Sequence, residues 1–326
     1  MLVSIMSKNK KINLLYCFDD RFWRMAAVSI YSVLQNRDTD TSIDIYCMVA
    51  PHTGGHRKIH DILKAHPNCR LIWRVIHRRE NPFRSHNFRY WSPVIFYRLF
   101  SQQIFPHLDK ILYLDSDTVV QTDLCKLYNT DISQYACAGV HDVAPEHIEK
   151  NPSGKKLREF KKKYLKHDIY INSGVLLLNL EYLRNNMDEL LSVDITLSYP
   201  DQDLLNVAWD GKILELPWWY NCVPMTPRYP RLSVDKNGNE VTEENIPKEM
   251  IDIVHFYAMK PYYYNRVHLH VYTLFFQYAT AIGIYPEEFI KTDKKYYIRR
   301  LKHNKTGIPL VRIGGDRCIH FLWWKI

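Results

Sequence analysis

Residues 110–117 read Lys-Ile-Leu-Tyr-Leu-Asp-Ser-Asp, a short apolar run that stops on two carboxylates separated by one residue. A run of this length reads as a strand buried on both faces, which places it inside a sheet covered by helices. Further segments extend that reading. Residues 12–17 (Ile-Asn-Leu-Leu-Tyr-Cys) form a similar strand that ends at Asp19-Asp20, and Ala27, Ile30, Tyr31 and Leu34 then recur at helical spacing. Residues 43–49 and 71–76 read as strands, 56–65 and 93–104 as helices. The βαβαβ order predicts a parallel sheet with helices on both faces, and ligands in such sheets bind beyond the C-terminal strand ends. Both acidic clusters, 19–20 and 115–117, fall there.

The second half continues the alternation. Residues 135–141, 170–178 and 251–256 read as strands and 201–209 as a helix, while 226–249 form a Pro- and Asn-containing excursion. Across 326 residues, 46% apolar and 24% charged side chains with 11 Gly and 16 Pro describe a globular protein. The seven cysteines include no CxxC pair, which speaks against a disulfide framework or a Cys-rich zinc site and for a reducing cytosol. No apolar stretch approaches the ~20 residues of a membrane span, and the first ten residues lack the pattern of a secretory signal. No GxGxxG follows the first strand and no Walker lysine loop occurs, so a bound nucleotide would be held by carboxylates and a metal.

Asp-X-Asp occurs three times, and context separates the three. Asp38 and Asp40 lie in a polar stretch and read as loop and cap residues. Asp201 and Asp203 open a helix, where Asp203 is a natural cap. Asp115 and Asp117 end a strand, where two neighbouring carboxylates repel each other unless a cation bridges them. Mg²⁺ or Mn²⁺ shared with substrate phosphates fits that role, and a pair of solvated turn acids fits the residues equally. His255, ending the strand-like Ile-Asp-Ile-Val-His, tips the reading to a metal, and its imidazole favours Mn²⁺.

Taken together, Cys17-Phe-Asp-Asp20, Tyr97-Arg98-Leu99, Leu112-Tyr-Leu-Asp-Ser-Asp117, Asn172-Ser-Gly-Val-Leu-Leu-Leu-Asn179, Asp201-Gln-Asp-Leu-Leu-Asn206, Leu216-Pro-Trp-Trp-Tyr-Asn221 and His255-Phe resemble the family 8 glycosyltransferases. These are retaining GT-A enzymes that include lipopolysaccharide galactosyl- and glucosyltransferases and glycogenin. The resemblance implies an α/β fold: one Rossmann-like GT-A domain over 1–265, with a mostly parallel mixed sheet flanked by helices. A small, basic C-terminal helical segment over 266–326 completes the expected organisation. By the same resemblance, Asp115, Asp117 and His255 would ligate Mn²⁺ (or Mg²⁺) on the diphosphate of a UDP-sugar. Asp19 would meet uracil or ribose, Arg98 the donor sugar, and Lys260 a diphosphate oxygen. Ser116 and Ser173 would line the donor site, Asn172 and Asp201 would hold sugar hydroxyls, and Gln202 would sit beneath the anomeric carbon. Two departures stand out: Arg21 replaces the usual Asn, and His255-Phe-Tyr-Ala-Met-Lys260-Pro261-Tyr262 carries Ala258 in place of Gly, with a His-to-Lys spacing shorter by one residue.

The expected reaction transfers galactose or glucose from the UDP-sugar to a hydroxyl of a glycan or glycolipid acceptor, a lipopolysaccharide or lipooligosaccharide core. Gln202 is a poor nucleophile, so the acceptor would attack from the face that UDP leaves, with Asp201 nearest to a nucleophile's role. Rival readings are a nucleotidyltransferase on the same metal site and a non-catalytic sugar-nucleotide or glycan-binding module. Trp218 and Trp219 read as acceptor platforms or as core indoles, Asn172 as a ligand or a turn amide, and Arg98 as a donor contact or a structural ion pair.

The charge of +9 is concentrated in two blocks. Residues 155–166 hold seven Lys/Arg against one Glu, and 286–326 hold ten against four acids. The first is either a solvated helix face or a contact for donor or acceptor phosphate. The second, with Tyr296, Tyr297, Phe321, Trp323 and Trp324, suits an anionic membrane surface. No nucleic-acid-binding pattern accompanies it. The expected location is the cytoplasm, peripheral on the inner face of the membrane.

Overall fold

A computed structural model describes residues 10–84, 92–142, 152–193, 199–222, 251–257, 260–261, 269–285, 288–289, 310–313 and 317–320. The first half alternates as expected: β1 (Lys11–Phe18), α1 (Trp23–Asn36), β2 (Ser42–Val49), α2 (His56–Leu63) and β3 (Cys69–Val75). A tight helical stretch, Pro93–Phe100, then runs into α3 (Ser101–Ile104) and β4 (Lys110–Leu114). The sequence suggests one α-helix over 93–104, but its first eight residues are wound as 3₁₀-helix. Arg98 Nε donates to Ile95 O and Ser101 Oγ to Arg98 O, side-chain bonds that compete for the carbonyls of a regular ladder.

Next come β5 (Thr118–Val120), α4 (Cys125–Tyr128), β6 (Cys137–His141) and α5 (Pro152–Tyr164). Then follow β7 (Ile171–Asn179), α6 (Leu180–Asn185), α7 (Met187–Leu191), α8 (Pro200–Ala208) and β8 (Ile213–Leu216). β9 (Ile253–His255), α9 (Leu269–Ala281), β10 (Leu310–Ile313) and β11 (Arg317–His320) complete the described elements. The expected excursion over 226–249 lies outside the described residues, as do Ala258 and the aromatic tail residues Tyr296, Tyr297, Phe321, Trp323 and Trp324.

The seven-stranded sheet has the order β3-β2-β1-β4-β7-β6-β8. β1 pairs in parallel with both β2 and β4, and β2 with β3. β7 runs antiparallel to both neighbours, which makes the sheet mixed. Each central strand feeds two cores by strict alternation. Ile12, Leu14, Tyr16 and Phe18 of β1, with Leu112 and Leu114 of β4, face one core; Leu15, Cys17, Ile111 and Tyr113 face the other. Both faces are apolar because helices cover both.

Phe275, Phe276, Ala279, Ile282, Ile284 and Phe289 belong to the same core cluster as β1 and α1, so the packed unit continues past residue 265. Asn36 Nδ2 also donates to Tyr278 Oη at 2.7 Å. The C-terminal region is not wholly helical: after α9, β10 and β11 pair as an antiparallel hairpin. Its residues include Leu310-Val-Arg-Ile, whose β-branched side chains suit a strand.

Candidate active site

The site is built where strand ends of opposite polarity meet. β4 delivers Asp115 at its C-terminal end; antiparallel β7 brings its own N-terminal end, Asn172-Ser-Gly174, alongside, with Asp115 N donating to Gly174 O at 2.7 Å. β5 follows Asp117 directly and pairs with β9, setting Thr118 opposite His255. Phe256 N donates to Asp117 O at 2.9 Å and closes that join. A buried hydroxyl chain anchors it from below: Tyr16 Oη to Ser29 Oγ (2.9 Å), Ser29 Oγ to Thr118 Oγ1 (2.7 Å), and Thr118 Oγ1 donating to Asp115 O (2.9 Å).

Asp115, Asp117 and His255 converge, each offering a donor atom within 4.8 Å of the others. His255 Nε2 lies 3.4 Å from Asp115 Oδ2 and 3.4 Å from Asp117 Oδ1. The Nε2 atom is buried and forms no hydrogen bond among the described residues, although a carboxylate oxygen stands on each side. An imidazole and two carboxylates around one point form a donor set suited to Mn²⁺ or Mg²⁺. Burial opposes a charged imidazolium, yet Asp117 and Asp115 outweigh it and raise His255 to about 9. Burial likewise works against the carboxylate of Asp117, but Lys260 and His255 hold it far below the usual range. The cluster therefore favours a positive charge at its centre.

Gly174 makes room for this arrangement. A Cβ there would lie 2.0 Å from His255 Cε1 and 2.9 Å from Asp115 Oδ2, so only a residue without a side chain lets the ring press against β7.

Arg98 is 4% exposed. Its guanidinium lies over the Tyr113 ring at 4.2 Å and contacts Asp115 Oδ1 (3.2 Å), Asp201 Oδ2 (3.5 Å) and Ser173 O (2.5 Å). Tyr113 Oη donates to Asp115 Oδ1 as well. Arg98 is thus an internal clamp on two acids. Asp201, held also by Ser173 Oγ at 2.9 Å, is pushed up by burial, with Arg98 opposing.

Gln202 lies in the same buried layer: Oε1 accepts from Asn172 Nδ2 and Ser173 N, both at 3.1 Å, and Nε2 donates to Asp142 Oδ2 at 2.8 Å. Asp203 lies inside α8 and not at its N-cap, which is Tyr199; from there its carboxylate reaches back to accept from Tyr199 N at 2.8 Å and from Tyr170 Oη. Lys260 pairs with Asp117 and lies 5.5 Å from the Phe22 ring centre, linking the cluster to the loop after β1. In that loop, Asp19 is engaged by Arg21, through its backbone N and its guanidinium, both at 3.0 Å. No ion pair joins Asp19 to the three-residue cluster among the described residues. Ser116 Oγ is buried without a hydrogen-bond partner among them. Trp218 and Trp219 pack partly buried against the core.

Sequence reasoning missed five residues. Asn221 and Gly174 lie within the motifs already quoted, where an amide closing the aromatic run Trp218–Tyr220 and a glycine following two polar residues were available signals. Asp142 ends β6 as Asp115 ends β4 and follows the same strand-end logic. Tyr113 and Tyr257, whose hydroxyls donate to Asp115 and Asp142, carried no signal that separates them from core aromatics.

Comparison with known proteins bears on this site. A lipopolysaccharide 1,2-glucosyltransferase of Escherichia coli K12 is 28% identical over 220 residues, 65% of this chain and 62% of that protein. A putative glycosyltransferase of Haemophilus influenzae is 24% identical over 222 residues, covering 66% and 64%. The chain thus matches under two thirds of the length of these curated relatives. Among solved structures, the galactosyltransferase LgtC with donor and acceptor sugar analogues aligns with a TM-score of 0.65 at 22% identity, over 86% of this chain and 100% of that one. The bifunctional glycosyltransferase WbbM aligns with a TM-score of 0.68 at 21% identity, over 89% and 53%. At these identities the likeness establishes the fold, which is of the GT-A type. The family model described as Glycosyl transferase family 8 matches residues 13–265, a span that takes in every element of the site from β1 to Lys260, and the chain belongs to that family.

Proposed function

We propose that this protein is a metal-dependent, retaining glycosyltransferase that moves galactose or glucose from a UDP-sugar to a hydroxyl of a lipopolysaccharide-type glycan. The observation that carries the reading is the orphaned Nε2 of His255 between the carboxylates of Asp115 and Asp117. A divalent cation held by these three residues would supply Lewis-acid stabilisation of the diphosphate.

The chain's own residues account for the rest. Lys260 stands at Asp117 and offers a fixed ammonium to the charge that grows on departing UDP. Ser116 Oγ and Asp19 face the nucleotide side, where Arg21 already orients the Asp19 carboxylate. Asn172, Ser173 and Asp201 hold sugar hydroxyls, and Gln202 lies beneath the anomeric carbon, fixed by four hydrogen bonds. An amide engaged in this way does not attack, and Asp201 is drawn toward its neutral form by burial. These features support attack by the acceptor hydroxyl from the face that UDP vacates.

Support for the acceptor comes from the lipopolysaccharide glucosyltransferase relatives and from charge. On α5 and the turn after it, Lys155, Arg158, Lys162, Lys163 and Lys166 are exposed, while Leu157 is buried and Phe160 meets Tyr170 edge-on. This basic face beside the Tyr170–Asp203 end of the site suits acceptor phosphates. Among the described residues no helix is long and apolar enough to cross a membrane, and the basic, aromatic composition of 286–326 supports peripheral association on the cytoplasmic face.

The test is release of UDP from a panel of UDP-sugars with Mn²⁺, with Mg²⁺ and with excess EDTA. One hexose donor should be hydrolysed slowly without acceptor, faster with it, and not at all in EDTA. Undiminished turnover in EDTA refutes the metal role, and release of pyrophosphate instead of UDP makes the protein a nucleotidyltransferase.

A further inference from the structure

We propose that Asn221 is a positioning residue whose side chain fixes the protonation pattern and orientation of the His255 ring and couples it rigidly to Gln202. The inference rests on the metal reading of Asp115, Asp117 and His255.

Amide and imidazole orientations can be deduced only from a neighbour whose polarity is certain. Backbone N–H groups provide two such neighbours here. Gly174 N donates to Asn172 Oδ1 at 3.0 Å, so that atom is an acceptor. Asn221 approaches the same oxygen at 2.9 Å, which makes the approaching atom Nδ2. The other amide atom of Asn221 is therefore Oδ1, and it lies 2.8 Å from His255 Nδ1. A carbonyl oxygen accepts only, so Nδ1 carries the proton. Once the ring gives up its second proton, as a cation ligand must, the proton kept on Nδ1 leaves Nε2 with its lone pair aimed between the two carboxylates.

The second anchor lies at the other end of the chain. Ser173 N donates to Gln202 Oε1, which identifies that oxygen and confirms Asn172 Nδ2 as its second donor. From His255 to Asp142 the sequence of bonds runs through Asn221, Asn172 and Gln202 with every direction determined.

Without Asn221 the carboxylates would decide the tautomer. They would draw the proton of a neutral ring onto Nε2, where it occupies the cation's place. Among the described residues no other hydrogen bond to Nδ1 is recorded; Tyr257 meets the ring at 5.0 Å between centroids and gives its hydroxyl to Asp142. Asn221 is 7% exposed and is held on both sides by backbone bonds, Asn221 N to Trp218 O (3.1 Å) and His255 N to Cys222 O (2.8 Å). Its amide is therefore presented to the ring by the fold rather than by chance contact.

The experiment compares the full chain with Asn221→Leu and Asn221→Asp. Mn²⁺ dissociation constants come from the electron paramagnetic resonance of free Mn²⁺, without donor. The ¹⁵N signature of the His255 ring in the Mg²⁺-loaded protein comes from histidine-labelled samples, assigned against His255→Gln. The native ring should show a protonated Nδ1. Asn221→Leu, which offers no acceptor, should weaken Mn²⁺ binding by about 10–100-fold, the range seen when the hydrogen-bond partner of a ligating His is removed. Asn221→Asp keeps an acceptor for Nδ1 but cannot donate to Asn172; it should restore Mn²⁺ binding to within a few-fold while kcat stays low with KM little changed. A proton on Nε2 in the Mg²⁺-loaded native protein overturns the proposal, as does Asn221→Leu binding Mn²⁺ as tightly as the native chain. If Asn221→Leu does not fold, loss of Mn²⁺ binding in a folded Asn221→Asp overturns it. Absence of Mn²⁺ binding by the native protein instead refutes the metal reading itself.

Discussion

Substituting Gly174 by Ala tests the assembled site with one carbon atom. The glycine is not among the described residues with positive φ, so alanine meets no backbone penalty and the effect isolates the side chain. The new Cβ would stand 2.0 Å from His255 Cε1 and 2.7 Å from Nδ1. Ordinary carbon contacts lie at ~3.5–4.0 Å, so the ring must retreat by roughly 1.5 Å or β7 must move away from β4. Neither is easy, because Asp115 N is bonded to Gly174 O and His255 is 0% exposed. Overpacking of this kind costs about 1–3 kcal/mol. A ligand displaced by ~1 Å typically costs on the order of 10² in rate. Gly174→Ala should therefore fold with a modestly lowered Tm, weaken Mn²⁺ binding at least tenfold, and reduce kcat/KM about 10²-fold in the UDP-release assay. Unchanged Mn²⁺ affinity with activity near native would refute the convergence of Asp115 and His255 on one cation.

Arg98→Met should destabilise the fold by about 3–5 kcal/mol in urea unfolding, because Asp201 and Asp115 lose a buried partner, and Arg98→Lys should recover only part, since an ammonium lacks the fork that reaches Asp115, Asp201 and Ser173 O together. Equal stability of all three proteins would contradict the clamp. Burial opposes the Asp44 carboxylate, but hydrogen bonds from Arg70 (2.5 Å) and Lys11 (3.1 Å) lower its pKa below the ordinary value. Its stabilisation is then complete above the unfolded pKa of ~3.9 and disappears as pH falls through the folded value. Asp44→Asn should accordingly be less stable than the native chain at pH 7 and lose that difference toward pH 2; a gap independent of pH would show that the ion pairs contribute nothing. Reversing Lys162 and Lys163 to Glu, while leaving Lys161 bonded to Asp168 (2.7 Å), should raise KM for a phosphorylated acceptor several-fold without changing that for the donor. Identical acceptor kinetics would assign α5 to solvent.

Much of the fold was legible because the two-core sheet writes itself into the chain. Strands such as β1 and β4 are apolar on both faces, so the runs stand out and their acidic ends mark the ligand side. Asp115 and Asp117 could be picked out from Asp38, Asp40, Asp201 and Asp203 on the same ground, since only they follow a doubly buried strand. The 3₁₀ winding of 93–100 was not legible, because it depends on where the Arg98 and Ser101 side chains find carbonyls. Nor was the hairpin of β10 and β11, whose basic surroundings suggest a helix as readily as a strand.

Local sequence carried the doubly buried strands, the acids at their ends and membership of a glycosyltransferase family, since periodicity and motifs are properties of neighbouring residues. Only the tertiary structure decided that β7 runs against β4 and that β9 pairs with β5. Those two pairings bring Asn172, Gly174 and His255 to the end of β4, and the bridge of Cys222 to Val254 carries Asn221 there. Strand polarity and register are set by how distant apolar faces pack together, and no local stretch of sequence encodes them.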